Sequence, residues 1–257
     1  MGNYNLGLVL SGGGTKGVAH AGVLKFLEEK NIEPEILACC SAGSIVGSLY
    51  AYGKSPEEIL DFFKSIYFFN WKHFAFNKPG LVSSKIFRIY LEPIFKDMKI
   101  GDLDKDLRIV ATELVSGTQI IFGKEFKIID AIIASCSVPG VTTPYIIGDE
   151  LYSDGGVLNN FPADIIKNEC EKMIGVFVSP PQEIELKDLN TIKAVVSRSY
   201  DLLSYRTELH KFSYCDWFIT SKKLAKFGMF ERKPEILEEI FGIGYQAAAD
   251  SYGNFID

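Results

Sequence analysis

The chain has 257 residues, of which 47% are hydrophobic and 23% are charged, and this composition excludes a disordered chain. Its formal net charge of −6 argues against nucleic-acid binding, because no basic excess is present to neutralise phosphates. The length suits one large α/β domain and no linker interrupts it, so residues 1–257 are predicted to form a single domain.

The first half of the chain alternates between short apolar runs and helical patterns. Residues 6–10 form an apolar run typical of a buried strand, and a glycine-rich loop follows them. A helix is predicted over Val18–Glu29, a second strand over Ile36–Cys40, and a second helix over 42–52. Strand–helix–strand–helix order predicts an α/β fold with a mainly parallel central sheet flanked by helices.

The remaining elements continue the same α/β pattern. Ser55 followed by Pro56 is a strong helix start, with Ser as the cap and Pro at the first position. The other predicted strands are 107–114, 119–122, 150–152 and 173–178, and the other predicted helices are 131–135, 189–212 and 234–252.

The first motif with chemical meaning is the loop Gly12-Gly13-Gly14-Thr15-Lys16-Gly17, between a strand and a helix. Its spacing fits a dinucleotide-binding loop, but the second strand ends in Cys39-Cys40-Ser41 instead of the required acidic residue. It is not a phosphate-binding P-loop, because no Lys follows the last glycine. Exposed N–H groups at a helix N-terminus can instead bind a developing oxyanion. We expect Gly13 and Gly14 to use backbone conformations closed to other residues.

The second motif is Ser41, which lies where a strand runs directly into a helix and is surrounded by small residues. That setting is typical of a nucleophile elbow, in which the serine hydroxyl projects above the sheet. The usual elbow has glycine two places before the serine, whereas Cys39 stands there. An ordinary helix N-cap is the simpler alternative for Ser41.

The third motif is Ser153-Asp154-Gly155-Gly156, which follows a predicted strand. An aspartate in a glycine turn is usually only a turn residue. The functional alternative is a carboxylate held at the edge of a site, where it takes the proton of the serine.

Together, the GGGTKG loop, the KGVAHAGVL helix, the serine elbow, the SVPGVTTPY segment and the SDGG turn resemble the patatin-like phospholipase family. The resemblance covers about residues 5–165. It implies a three-layer α/β/α fold and a Ser–Asp dyad without histidine. On that basis Ser41 is the nucleophile, Asp154 the general base, and the backbone of Gly12, Gly13 and Gly14 the oxyanion hole. It also implies hydrolysis of phospholipid, lysophospholipid or other acyl-ester lipids, and no cofactor or metal is expected.

Two alternative functions remain open. A Ser–Asp–His esterase would use Ser41, Asp154 and His210, in the chain order typical of that class. Against it, His210 lies in a helical pattern with no glycine turn to present it. The other alternative is a catalytically impaired acyl-lipid-binding or interaction protein, and Cys39 in the elbow is the feature that favours it. His20, one turn into the first helix, is expected to support the glycine loop.

An aromatic segment between Phe62 and Phe76 holds eight aromatic side chains in fifteen residues, with lysines interleaved. Either it packs against the core or it forms an amphipathic flap that makes peripheral membrane contact. No signal peptide or membrane-spanning segment is recognisable, so a cytoplasmic location is expected.

Overall fold

The computed structural model describes residues 3–66, 80 and 82–256. Eight strands form one sheet: β1 (Tyr4–Leu10), β2 (Ile36–Cys40), β3 (Asp106–Glu113), β4 (Thr118–Phe122), β5 (Tyr145–Ile147), β6 (Glu150–Asp154), β7 (Cys170–Phe177) and β8 (Trp217–Thr220). The helices are α1 (Val18–Glu29), α2 (Ala42–Ala51), α3 (Pro56–Ser65), α4 (Ile86–Phe95), α5 (Ile128–Ser135), α6 (Ile192–Glu208), α7 (Pro234–Ser251) and α8 (Gly253–Ile256).

The sheet is mainly parallel, with strand order β5-β6-β3-β2-β1-β7-β8 and with β4 also paired to β3. The pairs from β3 through β2, β1 and β7 to β8 are parallel. The pairs of β3 with β4 and β6, and of β5 with β6, are antiparallel. The carboxyl ends of β1, β2 and β7 therefore lie at one edge of the sheet, which is where open α/β sheets bind ligands.

Helices cover both faces of the sheet, as the alternating side chains of β1 show. In β1, Leu8 and Leu10 belong to one buried cluster, which also contains α1 and α7 residues, whereas Val9 between them belongs to a second cluster. Side chains alternate between the two faces of a strand, so the two clusters lie on opposite faces. The second cluster is covered by Tyr205 of α6 and by Phe212. The predicted three-layer α/β/α class is confirmed.

Most of the predicted elements are present with shifted ends. The helix after Ser55 begins with a capping box, in which Ser55 and Glu58 each bond the other's backbone N–H. The predicted 189–212 helix is shorter, because α6 ends at Glu208 and a 3₁₀ segment continues to Tyr214. Sequence reasoning missed α4, α8, β5 and β8. Pro93 inside α4 breaks the helical signal, and the two strands are only three and four residues long.

Candidate active site

Ser41 lies at the sharp bend between β2 and α2, with φ of 49° and ψ of −122°. A positive φ is unusual for a residue with a side chain and costs about 1–3 kcal/mol, so surrounding contacts must hold it. The Ser41 N–H donates to Ser135 Oγ at 2.8 Å, and Ser44 Oγ donates to the Ser41 carbonyl at 2.6 Å. These bonds fix the backbone that aims the buried Ser41 hydroxyl.

Small residues on α2 allow the bend to pack against the sheet. A Cβ at Gly43 would collide with the carbonyl of Leu10 at the end of β1. A Cβ at Gly47 would collide with the Cys39 sulfur, so the missing side chain at Gly47 makes room for a cysteine in the elbow. Cys39 is fully buried in the core, where burial raises the pKa of its thiol. Cys39 in place of the usual glycine is therefore accommodated, because Gly47 leaves room for its sulfur.

Asp154 ends β6, and the structure brings it to Ser41 from 113 residues away in the chain. Ser41 Oγ donates to Asp154 Oδ2 at 2.6 Å. The other carboxylate oxygen, Oδ1, accepts the N–H of Gly156 at 2.7 Å. The Asp154 backbone is held by pairing with β3 and by a bond from its N–H to the Ser137 carbonyl. Both oxygens of the carboxylate thus have fixed donors.

Burial raises the pKa of the Asp154 carboxyl to about 6. Desolvation disfavours the charged form, and the hydrogen bonds from Ser41, Gly156 and the Cys40 thiol offset only part of that effect. A carboxylate with a raised pKa is a stronger base than an exposed one, which is the direction that general-base catalysis requires.

The glycine loop lies beside Ser41 and Asp154. Gly12 is already engaged, because its N–H donates to the Asn160 carbonyl at 3.1 Å. Within the described residues, the N–H groups of Gly13 and Gly14 have no hydrogen-bond acceptor. Both glycines line a cavity that also contains Ser41. Of the three predicted oxyanion donors, Gly13 and Gly14 are therefore the two that remain available.

The two available glycines are required for different reasons. Gly14 has φ of 60°, in the left-handed region, as expected. For Gly13 the expectation was wrong, because its φ is 169°, which is open to any residue. Glycine is needed at this position because a side chain has no room there. An added Cβ would lie 2.7 Å from Val178 Cγ2 and 2.9 Å from Ser179 Oγ.

His20 supports the glycine loop, as expected, by contacting Ser11, the residue that precedes the loop. Its ring Nε2 lies 2.8 Å from the Ser11 carbonyl oxygen, and the residue is fully buried. Burial lowers the pKa of its imidazole to about 4, so the ring is neutral near pH 7 and donates to that carbonyl. Lys16 is half-buried on the cavity side of the loop, where desolvation lowers its pKa.

Two cavities meet at Ser41. The first, the apolar cavity, has a lining that includes Ile45, Phe63, Phe87 and Val141. The second, the polar cavity, has a mixed lining whose polar members include Lys16, Asp154, Tyr200 and Asp201. Gly14, Ser41, Val138 and Met229 belong to both. The arrangement can hold a molecule that is apolar on one side of Ser41 and polar on the other.

A buried charged network that sequence reasoning missed ties α6 to the loops of the site. Glu208 Oε1 accepts the N–H of Asn160 at 3.0 Å, and the Asn160 carbonyl accepts the Gly12 N–H. Lys211 Nζ donates to Glu208 Oε2 and to Asn159 Oδ1, each at 2.7 Å, and lies 3.4 Å from Asp164. The adjacent asparagines after the SDGG turn were the signal that could have drawn attention to it.

Replacing Lys211 by Met is expected to lower the free energy of unfolding by about 3 kcal/mol, because Glu208 is then left buried without its cation. Urea denaturation measures the loss. Glu208→Gln should cost less, since Lys211 keeps Asn159 and Asp164 as partners. The double variant should lose less than the sum of the two single variants, and strictly additive losses would contradict a coupled pair.

The other sequence candidates lie elsewhere. His210 is exposed, and its ring contacts Tyr214 edge-on. Because Ser41 donates directly to Asp154, the Ser–Asp–His arrangement has no structural support. Phe62 and Phe63 lie in α3, whereas the aromatic segment from residue 67 onward lies outside the described residues. In the described ranges, no helix combines the length and apolarity needed to cross a bilayer.

A strand–serine–helix elbow, a buried aspartate and a glycine loop meet on an α/β sheet, as in the patatin class of lipid hydrolases. The chain belongs to the patatin-like phospholipase family, whose sequence profile matches residues 8–167. That match includes Ser41, Asp154 and the glycine loop. The family acts on lipids, so lipid hydrolysis is the general activity of the class.

Similar proteins span distant organisms. The chain is 29% identical to the patatin-like phospholipase domain-containing protein ZK370.4 of Caenorhabditis elegans, over 97% of this chain and 21% of that protein. It is 30% identical to protein YqhO of Bacillus subtilis, over 67% of this chain and 70% of that protein. VipD from Legionella pneumophila has a similar fold, with a TM-score of 0.62 at 13% identity, covering 99% of this chain and 67% of VipD. The chain thus spans only about a fifth of the C. elegans relative.

Proposed function

We propose that this protein hydrolyses acyl esters of lipids through an acyl-enzyme on Ser41, with Asp154 as the general base. The observation that carries the proposal is the 2.6 Å hydrogen bond from Ser41 Oγ to the buried Asp154 carboxylate. The apolar cavity suits the acyl chain, and the polar cavity suits the headgroup side of the ester. The N–H groups of Gly13 and Gly14 form the oxyanion hole.

Acylation begins when Asp154 takes the proton of Ser41 and Oγ attacks the ester carbonyl carbon. The carbonyl oxygen becomes an oxyanion, which the loop N–H groups stabilise. When the tetrahedral intermediate collapses, the bond to the alcohol breaks and the alcohol leaves with the proton from Asp154. Water then gives a proton to Asp154 and attacks the acyl-enzyme. Release of the fatty acid returns that proton to Ser41.

A fluorophosphonate probe with a long alkyl chain tests the nucleophile directly. The probe forms a covalent bond with an activated serine, so intact-protein and peptide mass spectra should show one adduct, on Ser41. The same preparation should hydrolyse phospholipid in mixed micelles, and Ser41→Ala should lose both the adduct and the hydrolysis. Labelling without turnover would support the impaired lipid-binding alternative. Absence of both in the folded protein would refute the proposal.

The proposed base predicts a specific pH dependence. Because the folded pKa of Asp154 is about 6 and the deprotonated carboxylate is the active form, kcat/KM should rise with pH and level off above about pH 6. Below that pH it should fall about tenfold per unit. A profile on a soluble ester from about pH 4 to about pH 9 measures this. His210→Ala should leave the profile unchanged, and a change there would restore the triad alternative.

A further inference from the structure

Helix α6 has one face that belongs to the proposed active site. Ser197, Tyr200, Asp201, Ser204 and Tyr205 all line the polar cavity that contains Ser41 and Asp154. At about 100° per residue these five positions lie on one side of the helix, which we call the inner face.

The opposite side of α6, which we call the outer face, is apolar and exposed. Its aliphatic members are Ile192, Val195, Val196, Leu202 and Leu203. Ile192 is 86% exposed and Leu203 is 69% exposed. The same helical spacing places these positions together, about half a turn from the inner face. A row of exposed aliphatic side chains on one helix is a signature of an interaction surface, because folding alone does not account for it.

The charges of the helix are distributed unequally between the two faces. Asp201 lines the cavity and Glu208 is buried, so neither carboxylate of α6 belongs to the outer face. Arg206 is exposed, and helical spacing places it among the outer-face positions. The outer face therefore carries Arg206 and no carboxylate of α6, in a chain whose net charge is −6. Such a face suits a partner with an anionic outer layer over an apolar interior.

We propose that the outer face of α6 is the surface by which the protein lies on an anionic lipid–water interface. The aliphatic side chains enter the acyl boundary, and Arg206 contacts anionic headgroups. Because the inner face of the same helix lines the cavity, binding in this pose places the interface one helix diameter, about 10 Å, from the cavity. The proposal rests on the proposed lipid hydrolysis, since a lipid hydrolase must bind the aggregates that hold its substrate. It involves other residues than the aromatic segment between Phe62 and Phe76.

Binding is tested apart from catalysis by giving every protein the Ser41→Ala substitution, so that the vesicles are not consumed. Sedimentation with vesicles of phosphatidylcholine and phosphatidylglycerol in equal parts measures the partition. Leu202→Ser with Leu203→Ser should weaken it by on the order of 10-fold to 100-fold, the scale of two leucines left in water. Arg206→Glu should weaken binding to these vesicles and have little effect on pure phosphatidylcholine.

The matched control is Leu114→Ser with Val115→Ser, an exposed aliphatic pair at the end of β3, outside α6. This pair should leave vesicle binding unchanged. In the protein with Ser41 intact, Leu202→Ser with Leu203→Ser should retain hydrolysis of a short soluble ester, which shows that α6 is folded. Ile192→Ser with Val196→Ser provides a second variant on the same face.

Equal partition of the outer-face and control variants would overturn the proposal, even if Ser41 proved to be the nucleophile. A partition that survives substitution, together with a dimer that Leu202→Ser and Leu203→Ser dissociate, would assign the face to a second copy instead. Loss of ester hydrolysis in Ser41→Ala, together with weaker vesicle binding by Leu202→Ser with Leu203→Ser than by the control pair, supports both proposals. Vesicle binding through α6 by a protein that hydrolyses no ester would leave this inference standing and refute the proposed activity.

Discussion

Replacing Asp154 by Asn is expected to lower kcat/KM for a soluble ester by about 10³-fold or more. Asparagine has nearly the same shape and can still accept the N–H of Gly156, so the turn should keep its form. It cannot take the proton of Ser41, however, and the attack on the ester then lacks its base. Steady-state kinetics measure the loss, and circular dichroism shows whether the fold is retained.

The same substitution should make the protein more stable at high pH. The folded pKa of Asp154, about 6, lies above its ordinary value of 3.8, so the folded state binds this proton more tightly than the unfolded state does. The contribution to stability is therefore fully present below 3.8 and is lost as the pH rises through 6. Asparagine carries no charge, so the variant should gain about 1–3 kcal/mol over the wild type above about pH 6.

Urea denaturation at about pH 4 and about pH 8 separates the two effects. The gain in stability should be seen at the higher pH and should be small at the lower one. Ser41→Ala is the matched comparison, because it removes the nucleophile and leaves the buried carboxylate in place. Near-full activity in Asp154→Asn would show that another group is the base. If Asp154→Asn is less stable than the wild type at high pH, the ionised Asp154 carboxylate does not destabilise the folded protein.

The second large effect is expected at Gly14. Gly14→Ala should lower kcat/KM by about 10²-fold or more, the scale of one lost oxyanion donor. With φ of 60°, alanine is strained at this position, and its Cβ would collide with the carbonyl of Met229. That carbonyl also accepts the N–H of Thr15, so the loop cannot yield without moving its neighbours. The displaced N–H then no longer points to the developing oxyanion.

Gly117→Ala provides a control for the backbone strain alone. Gly117 has a similar φ of 68° in the turn between β3 and β4, and nothing lies within 4 Å of an added Cβ. It should lose about 1–2 kcal/mol of stability, the cost of left-handed backbone, and keep full activity. Gly14→Ala should have a much lower kcat/KM than Gly117→Ala. If the two variants keep equal activity, the oxyanion donors lie outside the glycine loop.

Local sequence determined those parts of the protein that depend on neighbours in the chain. The apolar runs of β1, β2 and β7 and the helical spacing of α1 follow from side-chain periodicity within ten or twelve residues. The bend at Ser41 follows from a strand that runs straight into a helix among small residues. The local pattern marks Ser41 as a candidate, and the resemblance over about residues 5–165 names it as the nucleophile with no knowledge of the tertiary structure.

Tertiary structure decided which of these local features meet. Ser41 and Asp154 come together because β6 pairs antiparallel with β3, where Ala111 lies opposite Asp154, and periodicity carries no information on pairing partners. The same holds for Gly12, whose N–H is occupied by the carbonyl of Asn160, and for Glu208, which holds Asn160 from 48 residues away. Sequence alone could name the three loop glycines, whereas packing selected the two that can still donate. The reason is that a hydrogen bond between distant segments depends on their position in space, which only the folded sheet fixes.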